Sequence, residues 1–443
     1  MPALADRRRA RTGSRCGPRG CLRPRDGDSL PPLSARTSRL LLAVVLVVFV
    51  GVVGIFAFAG ADPGGPQPRR QRGMDLIHYW VAGTLLDGGA AAQLYDAERY
   101  KPEYQALYPE RPPRYPVGYP PPIYQLFALP QPALAYVVGA KLLLGLLAGL
   151  HLVGSGLVVA AAHVARERRE AALAMAIGLP GAVSSVMSGQ LAGMWVLSLG
   201  GGWWLRSRGR PGAAGLALAL LWMKPTLAVP VGAAFLLLGE LRLLGGLVLG
   251  GAAVLAASLA APGGVEAWAA YLGRLSDPGD LLGDFWIFWH RQATLRTLVA
   301  GLAPSKAAAI GFGWVGAALG VAAAVAIARR SPAANAGSSD LHAGAVLSWC
   351  LLAAPHLLEY DLGLHLFGMV ASAAWLAAGR ARFPRAGAGA IAFAWGAGAY
   401  VLVNRSAHVN LTALAVLLWA VWMAVEVELA ARAAGPGALG VGA

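Results

Sequence analysis

A single carboxylate, Asp75, sits in the run Met74-Asp75-Leu76-Ile77-His78-Tyr79-Trp80, beside an imidazole, a phenol and an indole. A carboxylate in such company suits a general base that takes the proton of an attacking sugar hydroxyl, and aromatic rings suit the faces of sugars. Aromatics also suit a membrane interface, and Asp ahead of Leu-Ile-His-Tyr is good helix-capping chemistry, so spacing alone leaves a structural role open. A second charged group, Lys224, lies between two apolar segments in Leu221-Trp222-Met223-Lys224-Pro225. An ionisable residue in that setting is a functional candidate by default, and its ammonium would stabilise a departing phosphate; snorkelling to the interface is the alternative. Gln190, in Ser188-Gly189-Gln190-Leu191, suits sugar hydroxyls or the capping of a helix turn. Arg405 would assist a phosphate or anchor an interface. Glu359 and Asp361 would pair with an arginine, bind an acceptor or be solvated. His290 and Arg291, in the aromatic run Phe285–Gln292, would line a substrate entrance or form an interfacial belt. His151 and His365 fall on apolar stretches and read as packing residues.

The elements that must position these groups are membrane helices. The chain has 443 residues, 57% hydrophobic and only 13% charged, where soluble proteins carry about 25% charged residues. Mean hydropathy is +0.56. Ala171–Leu205 contains no charge at all, and a bilayer crossing needs about 20 apolar residues. We expect an all-α polytopic protein with about 12 transmembrane helices, near 40–60, 135–163, 171–187, 190–205, 212–223, 226–239, 243–261, 305–328, 341–358, 362–379, 387–403 and 410–430. These form one domain over 40–431, between a basic arm at 1–39 and a tail at 432–443, both expected to be disordered. The apolar run Leu40–Ala59 ends in Ala57-Phe58-Ala59, which mimics a signal-peptidase site. A signal's apolar core spans only about 7–15 residues, so an uncleaved first span is expected.

The net charge of +15 does not point to nucleic acid, because the arginines cluster in short stretches between apolar runs. With a cytoplasmic N-terminus, the inner loops hold Arg166, Arg168, Arg169, Arg206, Arg208, Arg210, Arg242, Arg329, Arg330, Arg380, Arg382 and Arg385, as the positive-inside rule demands. That parity requires 212–239 to be two segments meeting at Lys224-Pro225; a proline there disrupts a helix. Two long loops, 61–134 and 262–304, then lie outside the cell membrane. In the first, Val81–Leu86 reads as part of a short helix on the membrane surface, and Arg111–Pro122 as extended or turn-like. The cysteines, Cys16, Cys21 and Cys350, form neither a disulfide framework nor a zinc pattern. Phosphate-binding Gly-Lys loops, dinucleotide fingerprints and His-Glu-x-x-His are missing, and no metal or cofactor is expected.

Five segments in order carry a family likeness: Asp75-Leu76-Ile77-His78-Tyr79 with Gly88 and Leu94-Tyr95-Asp96; Tyr119-Pro120-Pro121-Pro122-Ile123; Ser188-Gly189-Gln190-Leu191; Leu221-Trp222-Met223-Lys224-Pro225; and Ala354-Pro355-His356-Leu357-Leu358-Glu359-Tyr360-Asp361. With these, the chain resembles the polytopic glycosyltransferases of family 87, which use polyprenyl-phosphate sugars and have the C-type membrane glycosyltransferase fold. The resemblance implies inverting transfer of a hexose, most simply mannose, from a β-linked polyprenyl phosphate to a glycolipid or glycan hydroxyl. It makes Asp75 the catalytic base and His356 part of the late motif, where this chain reads His-Leu-Leu-Glu-Tyr-Asp in place of a His-rich version. His78, Tyr79, Tyr119, Gln190, Lys224 and Arg405 are then expected to bind donor or acceptor at the extracytoplasmic face of the plasma membrane, with membrane lipids the other partner. The rival from another class is a transporter or flippase for lipid-linked sugars. It would spread charges through span interiors, whereas here they gather at the ends. A related C-type transferase acting on protein or lipid A would keep Asp75 and change the acceptor.

Overall fold

A computed structural model describes residues 34–59, 74–107, 118–129, 134–276, 292–303, 305–330, 336–403 and 410–434. The described residues are helical, with α1 at Ala35–Ala59, α2 at Met74–Asp87, α3 at Ala97–Leu107, α4 at Pro121–Ala128, α5 at Tyr136–Ala161, α6 at Arg169–Ile177 and α7 at Pro180–Ser188. They continue with α8 at Ala192–Ser207, α9 at Pro211–Leu218, α10 at Pro225–Leu237, α11 at Leu241–Ala260 and α12 at Gly264–Leu275. The remainder are α13 at Leu295–Ala300, α14 at Lys306–Ala328, α15 at Ala336–Leu352, α16 at Leu366–Ala377, α17 at Pro384–Val403 and α18 at Leu411–Ala434. One isolated antiparallel bridge joins Gln292 to Leu358.

The apolar runs expected to span are largely helical, and among the described residues 5 helices are long and apolar enough to cross a membrane: those in α1, α5, α11, α14 and α18. Proline and glycine explain much of the difference. The charge-free run after Ala171 breaks at Gly178-Leu179-Pro180 into α6 and α7, of 9 residues each. The run 212–239 breaks where expected: α9 passes into a 3-10 stretch, Ala219–Met223, and α10 restarts at Pro225, where a missing N–H does no harm. α1 begins at Ala35, within the expected arm, because Ser34 Oγ accepts from Thr37 N at 3.0 Å and caps its first turn. Residues 1–33 and 435–443 lie outside the described residues. Large apolar side chains such as Val47, Leu142, Leu249 and Val315 remain exposed on the long helices, as a lipid-facing belt requires.

Two expectations for the first long loop are corrected. Val81, Ala82 and Leu85 of α2 are buried, so that helix packs into the protein instead of lying on the membrane surface; Tyr79 stacks on Phe127 of α4 at 4.8 Å. Pro121 and Pro122 open α4, again using the helical turn that has no need of their N–H groups. Residues 111–117 lie outside the described residues.

Glycine permits a close crossing of α5 and α8. A Cβ on Gly200 of α8 would run into the backbone carbonyl of Gly154 of α5, and one on Gly193 into that of Leu147. Small residues allow such contact where lipid offers no hydrophobic drive to association. At neighbouring Gly201 the nearest atom would be a side-chain methyl, Ala217 Cβ at 3.8 Å. Gly200→Val is therefore expected to destabilise by about 1–3 kcal/mol, the usual cost of overpacking, while Gly201→Val shifts the unfolding temperature far less. Thermal unfolding of the two variants in detergent checks the contrast; equal shifts would remove the crossing argument.

Candidate functional site

The site is assembled at one end of the bundle from six chain segments. α2 presents Asp75 in its first turn, and Leu76, Ile77 and Tyr79 anchor that turn by burial. Gly189, at φ +66°, turns the chain sharply between α7 and α8, a backbone state glycine adopts without a Cβ penalty. The turn is tied twice: Gln190 N donates to Ser185 O at 2.8 Å, and Ser185 Oγ donates to Gln190 O at 2.9 Å. Gln190 is thereby aimed inward and is almost wholly buried.

Its side chain joins the polar groups. Gln190 Oε1 accepts from the hydroxyls of Tyr119 at 3.0 Å and Tyr79 at 3.3 Å, and its Nε2 donates to Asp75 Oδ2. The amide orientation follows from chemistry: an ionised carboxylate only accepts, so it must face the NH2 group. Asp75 itself is only partly buried, which leaves the carboxylate accessible while the amide fixes its direction.

Tyr119 carries the cluster toward a buried ion pair. Lys224 Nζ lies 5.6 Å from the Tyr119 ring centroid and 5.3 Å from that of Tyr360, and donates to Asp361 Oδ2 at 2.6 Å. Leu358 N donates to the same oxygen at 3.1 Å. Both side chains are nearly inaccessible, at 5% and 0%, so Lys224 does not snorkel, and Asp361 is a buried partner rather than a solvated loop residue.

The Pro355–Leu358 segment closes the site. Ala293 N donates to Leu357 O at 2.6 Å, and Arg296 Nη1 donates to Pro355 O at 3.0 Å while stacking over Trp314 at 5.2 Å. His356 stands near both cations. Burial first, then the charges of Lys224 and Arg296, push its pKa down to about 3, so at neutral pH it offers one N–H and one lone pair, not a positive charge. His78 is held elsewhere, its Nδ1 against the Tyr100 hydroxyl and its ring stacked with Tyr100 and Tyr104 at 5.8 and 5.6 Å. Arg405, His290 and Arg291 lie outside the described residues, as does the side chain of Glu359. His151, stacked on Phe49 at 5.6 Å, and His365, edge-on to Trp419 at 5.7 Å, are buried among apolar residues. Among the described residues, no three of His, Cys, Asp and Glu gather as a metal-ligand set.

Asp75, Tyr79, Tyr119 and Gln190 thus form one hydrogen-bonded cluster, and Lys224 adjoins it. Sequence reasoning passed over Arg296, and it named Tyr360 within the fifth family segment without giving it a role. Arg296 sits in a short helix with no motif around it, and Tyr360 stood in that segment between two acids, with nothing local to show that it faces Lys224. The cluster can orient a partly exposed base and place cations within a short reach of it. The sequence pattern of glycosyltransferase family 87 matches residues 118–355, more than half of the chain, with Tyr119, Gln190, Lys224 and Arg296 inside that span and Asp75 and His356 outside it. No curated protein and no solved structure matches the chain.

Proposed function

We propose, on the premise that this chain belongs to glycosyltransferase family 87, that this membrane glycosyltransferase moves a hexose, mannose first, from a polyprenyl phosphate to an extracytoplasmic glycolipid or glycan. The observation that carries the reading is the carboxylate of Asp75, held by the Gln190 amide in a cluster that ends at Lys224. Asp75 takes the proton of the acceptor hydroxyl as that oxygen attacks the sugar C1; the C1–O bond to the lipid phosphate breaks on the opposite face, inverting the centre. The phosphate is a competent leaving group without a general acid, and nearby cations stabilise the charge it gains. Arg296 and Arg405 supply that charge directly, with Lys224 contributing through its field, since Asp361 already occupies its ammonium. Tyr79, Tyr119, His78 and neutral His356 offer rings and hydrogen bonds to the sugars. About twelve apolar segments, a cytoplasmic N-terminus and an outer-face site in the plasma membrane complete the reading.

Reconstitution in liposomes tests it. Polyprenyl-phosphate mannose should support transfer to a glycolipid acceptor, and a nucleotide-activated mannose should not; the reverse preference would overturn the donor assignment. In the same assay Gln190→Ala is expected to lower kcat by about 10-fold, the scale of a lost orienting contact to a base, with KM little changed. An unaltered kcat would separate Gln190 from the base.

A further inference from the structure

The far end of the bundle holds a second cavity, of about 540 Å³, within the size range of small-molecule sites. The geometry of α5 separates the two ends. A Cβ on Gly139, near its start, would meet the ring of Trp80 in α2, the helix that carries Asp75, whereas Val164, just past its end, lines this cavity. The helix between has 26 residues, about 39 Å at 1.5 Å per residue.

α1, α6, α16 and α17 form the wall, with Ala172, Met175, Ala374 and Trp395 among its apolar residues. Two polar residues interrupt it. Ser38 is 1% exposed, and among the described residues its hydroxyl has no hydrogen-bond partner; a buried hydroxyl left unpaired is destabilising, so the site suits an acceptor that arrives from outside. Arg168 is the other. The surrounding connections are strongly basic. Arg168 stands between Glu167 and Arg169, with Arg166 one residue further on, and Arg380, Arg382 and Arg385 lie between Ala377 and Ala388 of the wall. Of the nearby acids, Glu170 pairs with Arg39 at 3.2 Å. Buried Glu426 is engaged by the backbone N–H groups of Arg382 and Phe383 at 2.9 and 2.8 Å. Apolar walls, a buried hydroxyl and the Arg168 guanidinium together are complementary to a lipid that carries both an acyl chain and an anionic head group.

We propose that this cavity binds one acyl chain of an anionic glycerophospholipid from the leaflet at that end, with its phosphate at Arg168 and an ester carbonyl accepting from Ser38 Oγ. The lipid is a resident of the fold, distinct in place from the donor and acceptor of the transfer reaction, and the inference stands whether or not that reaction is the one proposed above.

Native mass spectrometry of the full chain, delipidated in detergent and titrated with dioleoyl phosphatidylglycerol or dioleoyl phosphatidylcholine, tests it. One phosphatidylglycerol should bind about 10-fold more tightly than phosphatidylcholine, a gap of about 1.4 kcal/mol. Ala374→Trp, which fills the cavity, should abolish the tight binding. Arg168→Gln should retain a lipid but erase the preference for the anionic one, and Ser38→Ala should weaken both. Equal affinity of the two lipids for the unaltered chain, or unchanged phosphatidylglycerol binding by both Ala374→Trp and Arg168→Gln, would overturn the proposal. So would binding that appears only after residues 2–30 are deleted, since the chain's own arm would then be the occupant.

Discussion

Asp75→Asn is expected to reduce transfer from a polyprenyl-phosphate sugar by about 10²–10⁴-fold, the range a positioned general base contributes. The substitution is a sharp probe because the surroundings tolerate it. Gln190 Nε2 donates to Asp75 Oδ2, and an Asn carbonyl oxygen accepts that hydrogen bond in the same place, so the Tyr79–Tyr119–Gln190 cluster persists. What disappears is the capacity to take a proton. The loss should appear in kcat, with unfolding temperature and donor affinity close to those of the unaltered protein. Asp75→Glu keeps the base but pushes it one methylene further from the amide, so an intermediate rate is expected. Normal transfer by the Asn variant would end the assignment of Asp75 as base. A large drop in thermal stability would show instead that its main work is to start α2.

The second large effect concerns Lys224 and Asp361. Lys224→Met leaves the Asp361 carboxylate, 0% exposed, with the Leu358 amide but without its cation. Removing one partner of a buried pair typically destabilises by about 3–5 kcal/mol, because the survivor keeps its desolvation cost and loses the compensating charge. Asp361→Leu strands the ammonium in the same way, with Tyr119 and Tyr360 beside it offering only neutral partners. The double variant Lys224→Met with Asp361→Leu removes both charges and is expected to regain most of the lost stability, since apolar replacements of buried pairs are often neutral. Additive losses in that cycle, read by thermal unfolding, would mean that the two groups are not coupled. The double variant also separates roles: folded but slow, it places the Lys224 charge in the reaction; folded and fast, it makes the pair a structural clasp between the α9–α10 break and the segment after α15.

The pair also bears on how the site discriminates among charges. With Lys224 neutralised at 2.6 Å by Asp361 and His356 held neutral, Arg296 brings a second cation to the site, its Nη1 donating to the neutral carbonyl of Pro355. A donor phosphate arriving there would meet a planar guanidinium with several donors, a better match to phosphate oxygens than an ammonium.

Much of this was written along the chain itself. Composition and apolar run length determined an all-helical membrane protein, because a bilayer admits no other way to satisfy the backbone of such segments. Pro225 and the glycine-proline step at 178–180 determined where helices break, since proline acts within its own turn. Asp75 at a helix start and Lys224 between apolar segments were conspicuous as isolated charges. Tertiary structure alone decided what those charges meet. Asp75 and Gln190 are 115 positions apart, and Lys224 and Asp361 are 137 apart. The closing of such distances depends on which helix faces pack together, and packing is set by the whole surface of each helix rather than by any local spacing. The same packing made α2 a buried element. Local pattern governs what a segment becomes; the joint fit of many segments governs which side chains touch, and the chemistry resides in the touching.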